Sequence, residues 1–456
     1  MSSLSNLTIH SIGGGWGKDV EDEGLELVAV IRGTDIPNLE INNIQGVPFR
    51  YETQKKIQSR LLQIGDLVIE ISGGSASSKQ RTGRCLYITD ELLKNLGGKV
   101  IPASFCKLLR LDRKKVNSKY VYYQIKAMHL SDEIASFENQ STGISNFQFN
   151  RFIDEIRPSI LDIEVQNKIV NFLEKIDLKI INNININQTL EQIAQTIFKS
   201  WFIDFDPVHA KANALASGQT LEQATQAAMA VISGKNTQEL HRLQTANPEQ
   251  YQQLWEIAEA FPSGVDEEGV PRGWESKSLD EIAIYQNGLA LQKFRPESED
   301  EYLPVVKIAQ LKQGYADGKE KASVNIKPEC IIDNGDVIFS WSGSLVVDIW
   351  CGGKAALNQH LFKVTSKNYP KWLYYFYTVH HLAEFQRIAA DKAVTMGHIK
   401  REHLSLALCV IPNNEFIQKF CFLEDYISQI VNNRLQNVSL IKIRDELLPK
   451  LLSGEI

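Results

Sequence analysis

The chain has 456 residues, more than one hydrophobic core usually organises, so at least two domains are expected. Its composition, 43% hydrophobic and 23% charged, excludes a disordered polymer, and no apolar run reaches the roughly 18 residues of a membrane span. The net charge of −6 excludes a uniformly basic nucleic-acid-binding protein. The N-terminus lacks a signal-peptide pattern, and the six cysteines include no C-x-x-C pair. These features predict a cytoplasmic protein with reduced thiols.

The first element is a basic segment inside this acidic chain. Residues 1–49 hold two Lys and Arg against seven Asp and Glu, a net charge of −5. Residues 50–126 hold sixteen against six, a net charge of +10. Such a segment is what a phosphate-facing surface requires, although a solvated charged face would have the same composition.

The basic segment contains the first copy of an internal repeat. The sequence GDLVI at 65–69 recurs as GDVIF at 335–339, and a Ser-Gly pair at 72–73 recurs at 342–343, both at an offset of 270. Each copy predicts a tight turn, a short buried strand and then a Gly/Ser-rich loop. The repeat therefore predicts two related globular units of mixed α/β structure.

A long helical segment follows each copy, over 161–206 and 413–456, and the two segments match at an offset of 250. Apolar positions alternate in steps of four and three, as in a coiled coil, and both segments carry two asparagines mid-seam. A buried asparagine costs stability but fixes register, which favours direct pairing over two separate core helices. The predicted seam residues are Leu173, Ile180, Asn183, Asn187, Leu423, Ile430, Asn433 and Asn437.

An Ala/Gln/Glu-rich connector at 207–270 joins the two halves, and it predicts two or three amphipathic helices, with a docking surface as an alternative use. The globular units are then 1–160 and 271–412. The predicted fold class is α+β: two recognition units separated by two long antiparallel helices packed as a coiled coil. Antiparallel pairing would relate the units by a pseudo-two-fold axis.

The chain lacks the motifs of several enzyme classes. It has no G-x-x-x-x-G-K-[ST] loop, no N-P-P-Y-like tetrapeptide of amino-methyltransferases, no G-x-G-x-x-G and no G-x-S-x-G. His380, His381 and Glu384 lack the H-E-x-x-H spacing of a metal site. We therefore expect no catalytic residues and no metal ligands.

Four segments resemble type I restriction-modification specificity subunits: ISGGS at 71–75, WFIDFDP at 201–207, PRGWE at 271–275 and LPKLLSGEI at 448–456. The resemblance covers essentially the whole chain, although the first unit lacks a Pro-x-Gly-Trp opening. It implies two target recognition domains, each reading one half of a split DNA site. It also implies a helical ruler that binds two methyltransferase subunits, with restriction subunits joining the complex. S-adenosylmethionine and ATP with magnesium would belong to those partners, so no cofactor is expected on this chain.

Under this resemblance, the loops after the repeated strands are expected to reach base edges in the major groove, where Arg and Lys suit guanine and Gln suits adenine. For Asn358, Gln359 and His360 the alternative is ordinary hydrogen bonding at a strand end. The base-reading candidates are Ser75, Lys79, Gln80, Arg81, Arg84, Trp341, Ser342, Ser344, Lys354, Asn358, Gln359 and His360. The phosphate-contact candidates are Lys55, Lys56, Arg60, Lys114 and Lys115.

Two other functions were weighed against DNA recognition. A self-contained restriction-modification enzyme would need the methyltransferase tetrapeptide that the sequence lacks. A helical assembly scaffold that ignores DNA would not need the +10 segment or the repeated loop pattern. DNA recognition by a non-catalytic subunit is therefore the expected function.

Overall fold

The computed structural model describes residues 2–75, 81–141, 144–158, 161–298, 301–391 and 397–455. It divides into two compact units: unit 1 comprises Met1–Ile184 and Gln436–Ile456, and unit 2 comprises Asn185–Leu435. Each unit combines sheets with helices, which confirms the predicted α+β fold class. The divisions fall inside the two long helices, so each unit includes part of both helices, which the sequence analysis treated as separate segments.

Unit 1 is built on small sheets. Its strands are β1 (Thr8–Gly13), β2 (Leu25–Ile31), β3 (Phe49–Thr53), β4 (Leu67–Glu70), β5 (Ser72–Ser75), β6 (Cys85–Tyr87), β7 (Val100–Pro102), β8 (Cys106–Leu111), β9 (Glu138–Ser141) and β10 (Ile144–Phe147). An antiparallel sheet has the order β1-β8-β4-β6, a second sheet has the order β3-β2-β7 with β2 and β7 parallel, and a third has the order β5-β10-β9.

Helices cover the sheets of unit 1. They are α1 (Leu4–Leu7), α2 (Ile36–Leu39), α3 (Gln54–Arg60), α4 (Asp90–Asn95), α5 (Ser118–Leu130) and α6 (Phe149–Glu155). Helix α5 begins where the Asn117 side chain accepts hydrogen bonds from two backbone N–H groups of the first turn. It buries Tyr120 and Tyr123 in a core cluster that also contains Leu67 and Ile69 of β4.

The first long helix leads into the connector. These elements are α7 (Ile163–Phe198), a π-helical turn (Lys199–Ile203), α8 (Asp206–Ala216), α9 (Leu221–Ser233), α10 (Thr237–Ala246) and α11 (Pro248–Ala260). The connector thus forms four helices where two or three were expected. The sequence signals for the additional helix were present, since Asn236 caps α10 and Asn247 caps α11. The buried Lys211 ammonium donates to the carbonyl oxygens of residues 258, 259 and 261 at the end of α11.

Unit 2 repeats two parts of the sheet topology of unit 1. Its strands are β11 (Glu275–Ser278), β12 (Ile284–Asn287), β13 (Leu303–Val306), β14 (Lys321–Ala322), β15 (Ile331–Ile332), β16 (Val337–Ser340), β17 (Val347–Ile349), β18 (Ala355–Leu357), β19 (Leu361–Thr365) and β20 (Leu408–Ile411). The antiparallel order β12-β19-β16-β17 corresponds to β1-β8-β4-β6, and the parallel pair β13-β18 corresponds to β2-β7. The internal repeat therefore reflects a duplicated fold.

The helices of unit 2 are α12 (Leu279–Ile282), α13 (Ile308–Gln313), α14 (Lys371–Asp391), α15 (Arg401–Leu406) and α16 (Asn414–Lys419), and the second long helix is α17 (Phe422–Ser453). Helix α14 buries an aromatic row, including Trp372 and Tyr377, against the sheet of β12, β19, β16 and β17. No helix within the described ranges is long and apolar enough to cross a membrane.

Helices α7 and α17 pair antiparallel inside each unit. In unit 1, Leu173 shares a core cluster with Leu448, and Asp177 forms an ion pair with Arg444 at 2.9 Å. In unit 2, Ala194 shares a core cluster with Leu423. Early residues of one helix therefore meet late residues of the other, as in the predicted antiparallel pair.

The four predicted asparagines hydrogen-bond to one another across the pair. In unit 1, Asn183 Nδ2 donates to Asn437 Oδ1 at 2.8 Å, and Asn437 Nδ2 donates to a carbonyl oxygen of α7 at 3.2 Å. In unit 2, Asn433 Nδ2 donates to Asn187 Oδ1 at 2.8 Å, and Asn187 Nδ2 donates to a carbonyl oxygen of α17 at 3.1 Å. Asn433 is the repeat equivalent of Asn183, and Asn187 is that of Asn437, each at the offset of 250 residues. The two units therefore contain the same hydrogen-bond pattern. The predicted apolar seam residues Leu173, Ile180, Leu423 and Ile430 are all buried.

Candidate nucleic-acid interface

The duplicated sheets place two loops at equivalent positions in the two units. In unit 1, Cys106 of β8 pairs with Glu70 of β4, and in unit 2 Leu361 of β19 pairs with Ser340 of β16. The residues immediately before β8 and β19 therefore correspond, as do the loops that follow β4 and β16. These two loops carry most of the predicted base-reading residues.

In unit 1, Arg84 pairs with a carboxylate of the protein, whereas the prediction placed it against a base. The Arg84 guanidinium, expected to read guanine, forms a bidentate pair with Glu70, with Nε and Nη2 at 2.8 and 2.7 Å from the two carboxylate oxygens. Glu70 is only 2% exposed, and this hydrogen bonding raises the pKa of Arg84. The Glu70 side chain also occupies the space that a Cβ would need at Gly33 and Gly73. We therefore correct the assignment of Arg84 from base reading to positioning these loops.

The structure describes some of the other candidates of this loop but not all of them. Arg81 is exposed, and a phosphate or base can displace its pair with the exposed Asp132 at 2.7 Å because exposed ion pairs are weak, whereas its second partner Glu138, at 3.2 Å, has a side chain only 5% exposed. Ser75 ends strand β5. Lys79 and Gln80 lie outside the described residues.

The predicted phosphate contacts of unit 1 are on the surface. Lys55 and Lys56 are exposed on α3, where Lys56 also pairs with Glu52 at 3.2 Å. Arg60 ends the same helix and donates through Nε to a carbonyl oxygen of β1 at 3.0 Å. Lys114 and Lys115 are exposed in the turn between β8 and α5. The four exposed ammonium groups and the half-buried guanidinium lie on two surfaces, α3 and the turn between β8 and α5, and they neutralise phosphates where DNA reaches these surfaces.

Phe105, which is not among the predicted residues, stands immediately before β8 with 66% of its surface exposed. Two cavities open on either side of it. One, of about 580 Å³, is lined by Trp16, Arg32, Gly33, Glu70, Arg84 and Phe105. The other, of about 550 Å³, is lined by Phe105, Lys107, Asn146, Gln148, Asn150 and Arg151. A lone Phe between two strands is usually a core residue, so no local pattern marks it as exposed.

In unit 2, the predicted residues form a hydrogen-bonded group around His360. Ser342 Oγ lies 2.9 Å from His360 Nδ1, and Gln359 Nε2 lies 3.3 Å from His360 Nε2. Trp341 packs against the His360 ring at 5.9 Å between centroids and donates through Nε1 to the Gln359 carbonyl oxygen at 3.2 Å. These four side chains lie together at the position that Phe105 occupies in unit 1.

Three predicted residues of unit 2 lie apart from this group or are buried. Asn358 is 6% exposed, and its Oδ1 accepts a hydrogen bond from the His360 backbone at 3.3 Å, so the alternative of strand-end capping describes it better than base contact. Ser344 is exposed, and its carbonyl oxygen accepts from Ser340 Oγ at 2.7 Å. Lys354 is exposed at the opposite end of β18 from Asn358, about 13 Å along the strand at about 3.3 Å per residue.

The histidine pair on α14 has a structural role. Among the described residues, no group of three or more His, Cys, Asp and Glu side chains could hold a metal ion. His381 bonds through Nε2 to the Leu408 carbonyl oxygen at 3.0 Å, and Glu384 pairs with Arg387 at 2.6 Å. Burial, together with His380, lowers the pKa of His381 to about 4, so the ring is neutral at pH 7.

Comparison with known proteins gives consistent results. The family described as "Type I restriction modification DNA specificity domain" matches residues 271–439. The chain is 32% identical over 322 residues to the type I restriction enzyme HindI specificity subunit of Haemophilus influenzae, an alignment that covers 67% of this chain and 70% of the relative. It is 25% identical over 358 residues to the type I restriction enzyme MjaIX specificity subunit of Methanocaldococcus jannaschii, covering 75% and 69%.

Solved structures that the chain matches include the type I restriction-modification S subunit from M. genitalium, at 11% identity and a TM-score of 0.45, covering 99% of this chain and 95% of that chain. The HsdS subunit from Thermoanaerobacter tengcongensis matches at 12% identity and a TM-score of 0.31, covering 100% and 96%.

Proposed function

Since this chain belongs to the family of type I restriction-modification DNA specificity subunits, we propose that its two units each read one half of a bipartite DNA site. The chain is a DNA sequence specificity subunit and acts without catalytic residues of its own. Unit 1 reads one half with its loops near β5 and β8. Unit 2 reads the other half with the group around His360.

This proposal rests on one observation: the two units share the strand order of their antiparallel sheets but carry different side chains at an equivalent position. The β1-β8-β4-β6 sheet and the β12-β19-β16-β17 sheet have the same strand order. At the equivalent position before β8 and β19, unit 1 carries Phe105 and unit 2 carries His360. Different side chains on a common scaffold are what two different half-sequences require, because base edges are read by side chains and not by the backbone frame.

The partners follow from the family. We propose that the paired helices α7 and α17 bind two methyltransferase subunits and that restriction subunits join this complex in the cytoplasm. S-adenosylmethionine would bind the methyltransferase subunits, and ATP with magnesium would bind the restriction subunits. The asparagine pairs support the ruler role, because they fix the register of the two helices and hence the spacing that the helices set.

A mobility shift with and without the methyltransferase subunit tests this function. The complex should bind and methylate one bipartite sequence, and the chain alone should show no methylation with S-adenosylmethionine. Efficient methylation by the chain alone would contradict the non-catalytic role. Binding of the complex to all sequences alike would contradict the role in specificity.

A further inference from the structure

Phe105 has a rigid backbone and an exposed ring. The Ile71 backbone N–H donates to the Phe105 carbonyl oxygen at 2.8 Å, and the Cys106 N–H donates to the Ala103 carbonyl oxygen at 2.8 Å. The backbone is thereby fixed between β7 and β8, while the ring has no buried surface to fill. A large aromatic side chain held rigidly in solvent is suited to contact another flat apolar surface.

The cavity on one side of Phe105 is apolar and has an aromatic far wall. Trp16 is 40% exposed there, and the guanidinium of Arg50 lies 4.6 Å from the centre of its ring. The Glu70–Arg84 pair lies at the bottom, with its hydrogen bonds satisfied internally. Its volume of about 580 Å³ falls within the range of about 300–1,000 Å³ found for small-molecule binding pockets.

The cavity on the other side has a mixed lining, in which polar side chains stand beside the apolar ones of Ile71, Phe147 and Phe149. Lys107, Asn146, Gln148, Asn150 and Arg151 line it. Amide side chains suit adenine edges, and Lys and Arg suit guanine edges or phosphates. Lys107 also lies 4.2 Å from the centre of the Phe149 ring, which orients its ammonium toward this cavity wall.

The charge of both cavities complements DNA. Their lining residues include the cations Arg32, Arg84, Lys107 and Arg151, three of which pair with Asp35, Glu70 and Glu155, so the net charge of this group is 4 − 3 = +1. Arg32 is partly neutralised by the neighbouring Asp35 at 2.7 Å. The excess positive charge favours a polyanion over a neutral aromatic ligand.

We infer that Phe105 is a stacking wedge of unit 1: its ring enters the base stack of the first half-site, and the cavity between Phe105 and Trp16 receives a base displaced from that stack. The amides beyond Phe105 then read the neighbouring base edges. Apolar wedges that unstack a base step recur in proteins that deform DNA, and the cost of unstacking depends on sequence, so the wedge itself contributes specificity. This inference rests on the proposed function, and it concerns a base other than the one that is methylated.

Base-specific fluorescence tests the inference on the complex of the full chain with its methyltransferase subunits. The half-sites are first identified from the methylated motif. The purine of each base pair in the first half-site, except the methylated adenine, is then replaced in turn by 2-aminopurine, whose fluorescence rises when its stacking is lost. We expect a rise at one position with the wild-type complex.

Three variants give the test its controls. Phe105→Ala should abolish the rise and weaken binding of the cognate site by about 10- to 100-fold, the effect of losing one base–aromatic stack. Phe105→Trp should retain the rise. Phe49→Ala removes another exposed phenylalanine of unit 1 that lines neither cavity, and it should behave as wild type.

Two results would overturn the wedge. One is a wild-type complex that methylates a bipartite site without any fluorescence rise in the first half. The other is a Phe105→Ala complex with unchanged fluorescence and affinity. In both cases the methylated bipartite site would leave the proposed function standing, whereas a complex with no bipartite preference would overturn both.

Discussion

The charge of the Glu70 carboxylate is buried and is balanced by a single residue. Arg84 supplies both hydrogen bonds, and the pair connects the end of β4 to the start of β6. Because a buried carboxylate without a partner is costly, the pair stabilises the frame of unit 1 and does not depend on DNA. The sequence could not reveal this role, since an arginine in a Gly-rich loop looks the same whether it faces a base or a buried acid fourteen residues earlier.

Replacing Arg84 therefore tests folding. Arg84→Met should lower the free energy of unfolding by about 3–5 kcal/mol, because it leaves Glu70 buried and unpaired, and the double variant Glu70→Gln, Arg84→Met should recover part of this loss. Denaturant unfolding measures both. Arg81→Met removes a more exposed forked arginine and should cost less, because Glu138 keeps its hydrogen bonds from the Thr82 backbone N–H and hydroxyl. If Arg84→Met were as stable as Arg81→Met and relaxed one base of the methylated motif, Arg84 would be a base reader after all.

His381 gives unit 2 a specific acid sensitivity. Its pKa is lowered to about 4 by burial, below its unfolded value of about 6.5. The group therefore contributes stability above pH 6.5, and this contribution is lost as the pH falls toward 4, because the unfolded state binds the proton first. His381→Gln can keep a hydrogen-bond donor to the Leu408 carbonyl without titrating. Its melting temperature should fall less than that of the wild type between pH 6.5 and pH 4, and parallel curves would contradict this role.

The role of a single residue could be predicted where nearby sequence determines its environment. The seam asparagines were predictable, because a heptad pattern assigns each residue a side of the helix. Phe105 was not, because exposure in a loop depends on chain segments far away in sequence. For Asn358 the sequence left two alternatives open, because an amide that caps a strand end and one that reads adenine have the same side chain.

At the scale of elements, the long helices were predicted best. The polar residues in their seam lower the stability of the pair by a measurable amount. Asn183 Oδ1 is buried without a hydrogen-bond partner among the described residues, although its Nδ2 donates to Gln436 and Asn437. An unsatisfied buried acceptor costs about 1–3 kcal/mol. The asparagines are therefore explained by register and not by stability.

Replacing Asn183, Asn187, Asn433 and Asn437 together by leucine should raise the melting temperature and loosen the register or oligomeric state. Thermal unfolding measures the first effect, and size-exclusion chromatography with light scattering measures the second. Asn182→Leu with Asn432→Leu is the matched control, because these asparagines lie on the same helices but are exposed. A quadruple variant that melted below this control would show that the asparagine network stabilises the pair.

The connector shows where element prediction failed. The Ala/Gln/Glu-rich composition predicted helices correctly, but the number of helices depends on caps. The side chains of Asn236 and Asn247 each accept a backbone hydrogen bond at the start of a helix. The segment from 237 to 260 therefore forms two helices, α10 and α11, which divide at Asn247. The cap residues were visible in the sequence, and counting them would have given four helices.

At the scale of the whole molecule, duplication was the most informative feature of the sequence. The repeated GD-strand-loop pattern led to two units, and both units share a four-stranded antiparallel order and a parallel strand pair. The strand registers could not be predicted, because they depend on pairing between residues distant in sequence: Glu70 with Cys106 (106 − 70 = 36) and Ser340 with Leu361 (361 − 340 = 21). They are what identifies Phe105 and His360 as equivalent positions with different side chains.

The central claim, that the two units read separate halves of one DNA site, is tested most directly by exchanging one unit. Residues 279–400 would be replaced by the corresponding residues of another family member, keeping β11 with its partner β20. The motif methylated by the complex would be mapped across a genome before and after the exchange. We predict that one half of the motif changes while the other half and the gap remain. A motif in which both halves change together would contradict the claim.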